Sequence, residues 1–192
     1  ITARAYPAAV VEVGRAAGPI WREAFGNLTY LGDAPATTVD TIFDLASLTK
    51  VIATTSLVMR AAESGRLALE TPLADLRPDW RPDDLARVTI RHLLDHSSGL
   101  PAHVKLWERV RGRAAFERAI AATPLERAPG TASAYSDLGF MLLGFVLEDL
   151  AGVPLDAQFV PLAAALGGSI GYRPSADLAS RTKSLKLRLR GV

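Results

Sequence analysis

"FDLASLTKV", residues 43–51, carries one serine, Ser47, at the end of a half-apolar run, with Lys50 three residues later at the head of an apolar segment. Only 4 of the 22 Lys and Arg residues are lysines, so a lysine at this place calls for a reason. Residues i and i+3 share a helix face, which sends both side chains to the same side. Two readings fit the pair taken alone. In one, Ser47 is an N-terminal helix cap and Lys50 a solvated neighbour. In the other, Ser47 is a nucleophile and Lys50 the base that takes its proton, since a serine hydroxyl is inert without such a partner and burial lowers a lysine pKa. The helix N-terminus suits a developing oxyanion, because its free N–H groups and positive dipole end point outward. A second Ser-x-x-Lys, Ser180/Lys183, lies in a basic tail with no apolar helix after it and is set aside.

The bounds are those of a globular chain. Its 192 residues suit one domain, and 49% hydrophobic with 22% charged residues is neither disordered nor fibrous. No apolar stretch reaches the ~18 residues of a membrane span. Zero cysteines exclude disulfides, thiol catalysis and thiolate metal sites. The net charge of +2 hides a basic end: Arg181, Lys183, Lys186, Arg188 and Arg190 follow the last acidic residue, Asp177. Yet "SLKLRLR" alternates leucine with a cation, the period-2 pattern of a strand with one wet face. That favours a sheet strand over Ser184–Arg190 and no nucleic-acid partner.

Along the chain, residues from about Ala8 to Tyr30 read as a hairpin, and 31–40 as a polar loop. A helix runs from Ser47 to about Ser64, with Gly65 as its stop. The stretch from Leu76 to Asp84 carries few regular signals. Thr89 caps a short helix through His92 and Leu94 that breaks at "HSSGLP", and residues 113–122 form another. After the extended loop "TPLERAPGTASAY", Ser136 or Asp137 opens an apolar helix through Leu142, Phe145 and Leu150 that stops at Gly152. Two early strands followed by mostly helices argue for an α+β fold.

The order of three stretches narrows the choice. "TIFDLASLTKV" is followed by "VTIRHLLDHSSGLP" and then by "PGTASAYSDLGFMLLGFVLED". From about Tyr6 to Val160 this succession resembles the β-lactamase and penicillin-binding-protein superfamily, closest to its class C-like branch with D-aminopeptidases, DD-peptidases and esterases. The resemblance matches the family's Ser-x-x-Lys motif to Ser47 and Lys50, and its Tyr-x-Asn motif to Tyr135, Ser136 and Asp137. It implies a mainly antiparallel sheet flanked by helices, with a helical lobe. It also implies a serine hydrolase in which Ser47 attacks a carbonyl and Lys50 and Tyr135 handle its proton through an acyl-enzyme. No cofactor is required, and the substrate is a small molecule with an acyl or lactam carbonyl: a β-lactam, a D-amino-acid peptide or a small ester. The alternative is a relative that has lost catalysis and is retained to bind a ligand or partner.

Two departures from the family pattern bear on that expectation. Asp137 stands where the family has asparagine, and as a substrate-binding residue it only accepts hydrogen bonds and would hold Lys50 charged. The third motif, Lys-Thr-Gly or His-x-Gly, has no match after Tyr135; the last histidine is His103. Family chains also run longer, with three closing strands and a final helix. The single domain over 1–192 is therefore expected to be truncated, or to join separated segments after about residue 165. Such a chain is expected to leave an open cleft or to recruit a partner, most simply as a homodimer.

Other candidates carry less. Asp95, His96 and Ser97 or Ser98 hold the residue types of a triad, but consecutive side chains diverge, so His96 reads as a wall of the cleft. His92 reads as a satisfied helix residue. Three scattered histidines give no metal site, and no glycine-rich phosphate loop is present. Trp21, Trp80 and Trp107 read as core or cleft wall, with Trp107 placed to face a ligand.

Overall fold

The computed structural model describes residues 5–80, 83–167 and 170–172. Among them the chain divides into two compact units, residues 5–46 with Tyr172, and residues 47–171.

In the first unit, strands β1 (Ala8–Arg15) and β2 (Gly18–Gly26) pair antiparallel, from Ala8 opposite Gly26 to Val13 opposite Trp21. The register breaks between Val13 and Gly14, just before the turn into Gly18, whose φ of +131° suits glycine. The predicted hairpin is thus present and ends at Gly26 rather than Tyr30. The loop beyond it folds back through the Asn27–Ala36 bridge, and Asn27 Nδ2 donates to the Ala34 carbonyl at 2.6 Å. The strand predicted over Ser184–Arg190 lies outside the described residues.

The second unit is helical: α1 (Ser56–Glu63), α2 (Leu73–Leu76), α3 (Asp83–Ala86), α4 (Ile90–Leu94), α5 (Arg113–Ala121), α6 (Asp137–Ala151) and α7 (Leu155–Ala165). Its axis is α6, which packs against α1, α4 and α7. Leu138, Leu142 and Leu143 of α6 meet Ile90 and Leu93 of α4 in a core where each is fully buried. Burying one such side chain contributes about 1.5–3 kcal/mol. Both ends of α6 follow from local sequence. Ser136, in extended conformation, precedes its first residue, and Gly152 closes it in the left-handed region at φ +69°, its N–H donating to the Glu148 carbonyl at 2.8 Å. Helix α4 starts as expected at Thr89. Its hydroxyl accepts from His92 N–H (3.3 Å), while His92 Nδ1 accepts from Thr89 N–H (3.2 Å). His92 is therefore a capping residue. On the outer side Arg77 and Arg113 bind Glu117 of α5 and Asp149 of α6, clamping the two helices.

Three elements differ from the sequence reading. The single helix expected from Ser47 is π-wound over Lys50–Thr55 and becomes α-helical only at Ser56, where Ser56 Oγ donates to the Val51 carbonyl five residues back (3.4 Å). Such widened turns are frequent at functional sites. The irregular stretch from Leu76 is bracketed by the single turns of α2 and α3. Helix α7 was not foreseen: it keeps Pro161 in its interior and is held by buried Phe159 and Ala163. Tertiary burial there outweighs the hydrogen bond that proline cannot make. No single helix among the described residues is long and apolar enough to cross a membrane.

Candidate active site

Ser47, Lys50, Tyr135 and Asp137 all belong to the second unit, and Lys50 is where they meet. Lys50 Nζ lies 3.2 Å from Ser47 Oγ and 2.7 Å from Asp137 Oδ1, and sits over the Tyr135 ring at 4.9 Å from its centroid. The first contact is local. The residue before the serine, Ala46, is held at φ +44° with its N–H donated to Asp44 Oδ1 (2.9 Å), a strained position for a residue with a Cβ. After Ser47 the chain turns at once into helix, Lys50 N–H donating to the Ser47 carbonyl at 3.0 Å. The serine is exposed, while the lysine is largely enclosed, its side chain 16% exposed.

Tyr135 and Asp137 arrive from far along the chain, and the "HSSGLP" turn sets their height. His96, in the left-handed region at φ +60°, accepts the Ser136 N–H on Nδ1 (3.1 Å), and its carbonyl accepts the Ala134 N–H (2.8 Å). Its ring packs on Tyr135 at 4.6 Å and Phe140 at 5.1 Å. Ser136, buried, donates its hydroxyl to the Pro101 carbonyl (2.7 Å). Thus the two ends of the Tyr-Ser-Asp stretch face Lys50 while its middle residue is bolted to the turn. His96 forms no relay with its neighbours: Ser97 Oγ donates to Asp95 Oδ1 (2.6 Å), and buried Ser98 accepts the Leu100 N–H (3.3 Å).

The electrostatics favour a charged lysine. Burial pulls the Lys50 ammonium down, but hydrogen bonds and charge from Asp137 and Tyr135 overcome it, so its pKa stands above the usual 10.5. His96 is held below 6.5, first by burial and then by the Lys50 charge. No group of three His, Asp or Glu side chains converges on a common point among the described residues, so the geometry offers a metal ion no cage.

The Beta-lactamase family model matches residues 2–160. The chain belongs to the Beta-lactamase family. It is 34% identical over 132 residues, 62% of this chain, to an Escherichia coli strain K12 protein named "Putative D-alanyl-D-alanine carboxypeptidase". Its fold is similar to that of a class C β-lactamase, with a TM-score of 0.79 at 22% identity, covering 94% of this chain and 50% of the other. It also resembles EstCE1, described as a hydrolase with promiscuous acyltransferase activity, at TM-score 0.72 and 28% identity over 84% of this chain and 47% of the other. The chain spans 30% of the length of the E. coli relative and about half that of these structures.

Two residues near Lys50 escaped the sequence reading. His103 Nδ1 faces the second oxygen of this family member's Asp137, Oδ2, at 3.5 Å, and its ring meets Trp107 edge-on at 5.5 Å. Phe140, one turn into α6, lies beneath both His96 and Lys50. Helical spacing from Asp137 to Phe140 was a usable signal for the second; for His103 the only hint was its place just after the "SGLP" turn.

Proposed function

We propose that the chain is part of a serine hydrolase that opens an amide or ester carbonyl through an acyl-enzyme on Ser47. The observation that carries this reading is Lys50 Nζ at 3.2 Å from Ser47 Oγ with Tyr135 on its other side. In the forward step Ser47 Oγ bonds to the carbonyl carbon, whose π electrons move onto the carbonyl oxygen, and the hydroxyl proton passes to a base, either Lys50 as the neutral amine or Tyr135 as the phenolate. The same proton then goes to the leaving nitrogen or oxygen as that bond breaks, and water releases the acyl group by the reverse path. A β-lactam, a D-amino-acid peptide and a small ester all present such a carbonyl. The carboxypeptidase name of the E. coli relative favours the peptide, and the acyltransferase description of EstCE1 favours the ester.

A second reading rests on Asp137. A carboxylate 2.7 Å from Lys50 holds the lysine protonated, the state unfit to act as base, which favours a member that binds a ligand without turning it over. A homodimer remains part of the proposal, since Val13, Ile20 and Trp21 are exposed on the hairpin, and light scattering after size exclusion reads it directly. Treatment with a fluorophosphonate or a fluorescent penicillin, followed by peptide mass mapping, separates catalyst from binder. Modification is expected at Ser47 and is lost in Ser47→Ala, with little change in stability, because Ser47 is exposed and the helix that follows starts at Thr49 without a side-chain cap. Modification of Ser98 or Ser136 instead, or of no serine, overturns the assignment.

A further inference from the structure

We infer that Asp137 makes this a site for an acyl group carrying an ammonium beside its carbonyl, as an α-amino-acid ester or amide with a free amino group does. Turnover of such a substrate rests on the serine-hydrolase reading; recognition of its amine does not. The Asp137 carboxylate holds Lys50 through Oδ1 at 2.7 Å, and Lys50 Nζ is 3.2 Å from Ser47 Oγ. Both contacts share Nζ, so the carboxylate stands within two hydrogen-bond lengths of the nucleophile, beside any carbonyl that Ser47 attacks. The other oxygen, Oδ2, makes no hydrogen bond among the described residues, its neighbour His103 Nδ1 standing off at 3.5 Å. The side chain is 31% exposed. A carboxylate only accepts, so the group that completes Oδ2 is one that donates, and a charged N–H donor makes the stronger bond.

The surroundings suit that role. An asparagine at this position would present an N–H and leave the Lys50 cation unopposed. Aspartate presents lone pairs alone and brings the pair with Lys50 to zero net charge. Both changes turn the site away from acyl groups with a carbonyl or carboxylate at this place and toward those with a donor. Exposed rings stand alongside: Tyr135, His103 and, in edge contact with His103 at 5.5 Å, Trp107. Aromatic faces attract a cation and cover the carbons next to it. Lys105, close in sequence to His103, is paired with Glu108 at 3.2 Å and does not occupy Asp137. Lys50 itself repels a second cation, which confines the substrate ammonium to the Oδ2 side and so orients the acyl group.

The test uses the 192-residue chain and two phenyl esters alike in shape but not in charge, those of alanine (each enantiomer) and of isobutyric acid, at a pH where the amine is protonated. The ratio of kcat/KM for the two esters is compared between the parent protein and Asp137→Asn. That comparison cancels the intrinsic reactivity of the esters, the folded fraction and any change at Lys50 that both substrates share. The alanyl-to-isobutyryl ratio is expected to be about 2- to 5-fold higher with Asp137 than with asparagine, the range of a solvent-accessible charge contact. A ratio that is unchanged, or higher in Asp137→Asn, overturns the inference. Binding is read separately with the unreactive pair alaninamide and isobutyramide. Alaninamide is expected to shift the His103 and Trp107 side-chain NMR signals at lower concentration, an advantage lost in Asp137→Asn. Alaninamide that binds no better than isobutyramide, or keeps its advantage without Asp137, also overturns it. If neither ester acylates Ser47 but the amide preference holds, the hydrolase reading fails and recognition of the amine stands.

Discussion

Replacing Asp137 with asparagine is expected to speed acylation of Ser47 at neutral pH while weakening the fold, a combination of signs that tests the lysine directly. The carboxylate oxygen is 2.7 Å from Lys50 Nζ, and the two side chains are 31% and 16% exposed. Unit charges at that distance attract by about 1.5 kcal/mol in bulk water and about 6 kcal/mol at an effective dielectric of 20. Desolvation offsets much of the larger figure for a half-enclosed pair, which leaves about 1–2 kcal/mol to lose. If the neutral lysine is the base, that free energy appears as about a 5- to 30-fold faster labelling rate below the lysine titration, with the rising limb of the profile moved to lower pH. The stability effect has the opposite sign. The folded-state pKa of Lys50 is raised above 10.5, so its stabilisation is fully present below pH 10.5 and is lost as pH climbs through the folded value. Asp137→Asn removes it across the neutral range, and unfolding in urea at pH 7 is expected to reveal a loss of about 1–2 kcal/mol that narrows in alkali. Rates of fluorophosphonate labelling followed by intact mass across the pH range supply the kinetic half. A destabilised protein whose labelling rate and pH profile are unchanged would refute the idea that Lys50 charge limits Ser47.

Other expectations concern the turn that carries the site. Gly99 has φ +83°, and a Cβ there would overlap the Arg127 carbonyl oxygen, so Gly99→Ala is expected to cost about 3 kcal/mol in urea unfolding; a loss within error would show that the turn yields. The pKa of His96 is lowered by burial and by Lys50, so its neutral form stabilises the fold above pH 6.5 and that contribution is lost as pH falls through the folded value. Unfolding free energy should drop between pH 7 and pH 5 and drop less in His96→Gln, and equal slopes would remove His96 as the cause.

What could be read from the chain was set by short-range physics. The hairpin, the Thr89 cap, the opening of α6 after Ser136 and its stop at Gly152 depend on residues within a few positions of one another, and each is present, the hairpin ending at Gly26 instead of Tyr30. Ser47 and Lys50 belong to that group, because three residues of helix bring them to 3.2 Å whatever the rest of the chain does. The likeness to the family added Tyr135 and Asp137 as partners, but not their distances. Helix α7 escaped because Pro161 and a nearly uniform apolar surface leave no local signature, so its existence depends on burial against α6. The approach of Lys50 and His103 to Asp137 is likewise a product of packing. It needs α4 seated on α6, the His96 carbonyl and imidazole holding Ala134 and Ser136, and the chain after Pro101 passing over the start of α6. No spacing encodes that meeting, since contacts between residues far apart in the chain are fixed by how buried faces fit together, and a carboxylate gains its chemistry from whichever charges those faces bring within a few ångströms.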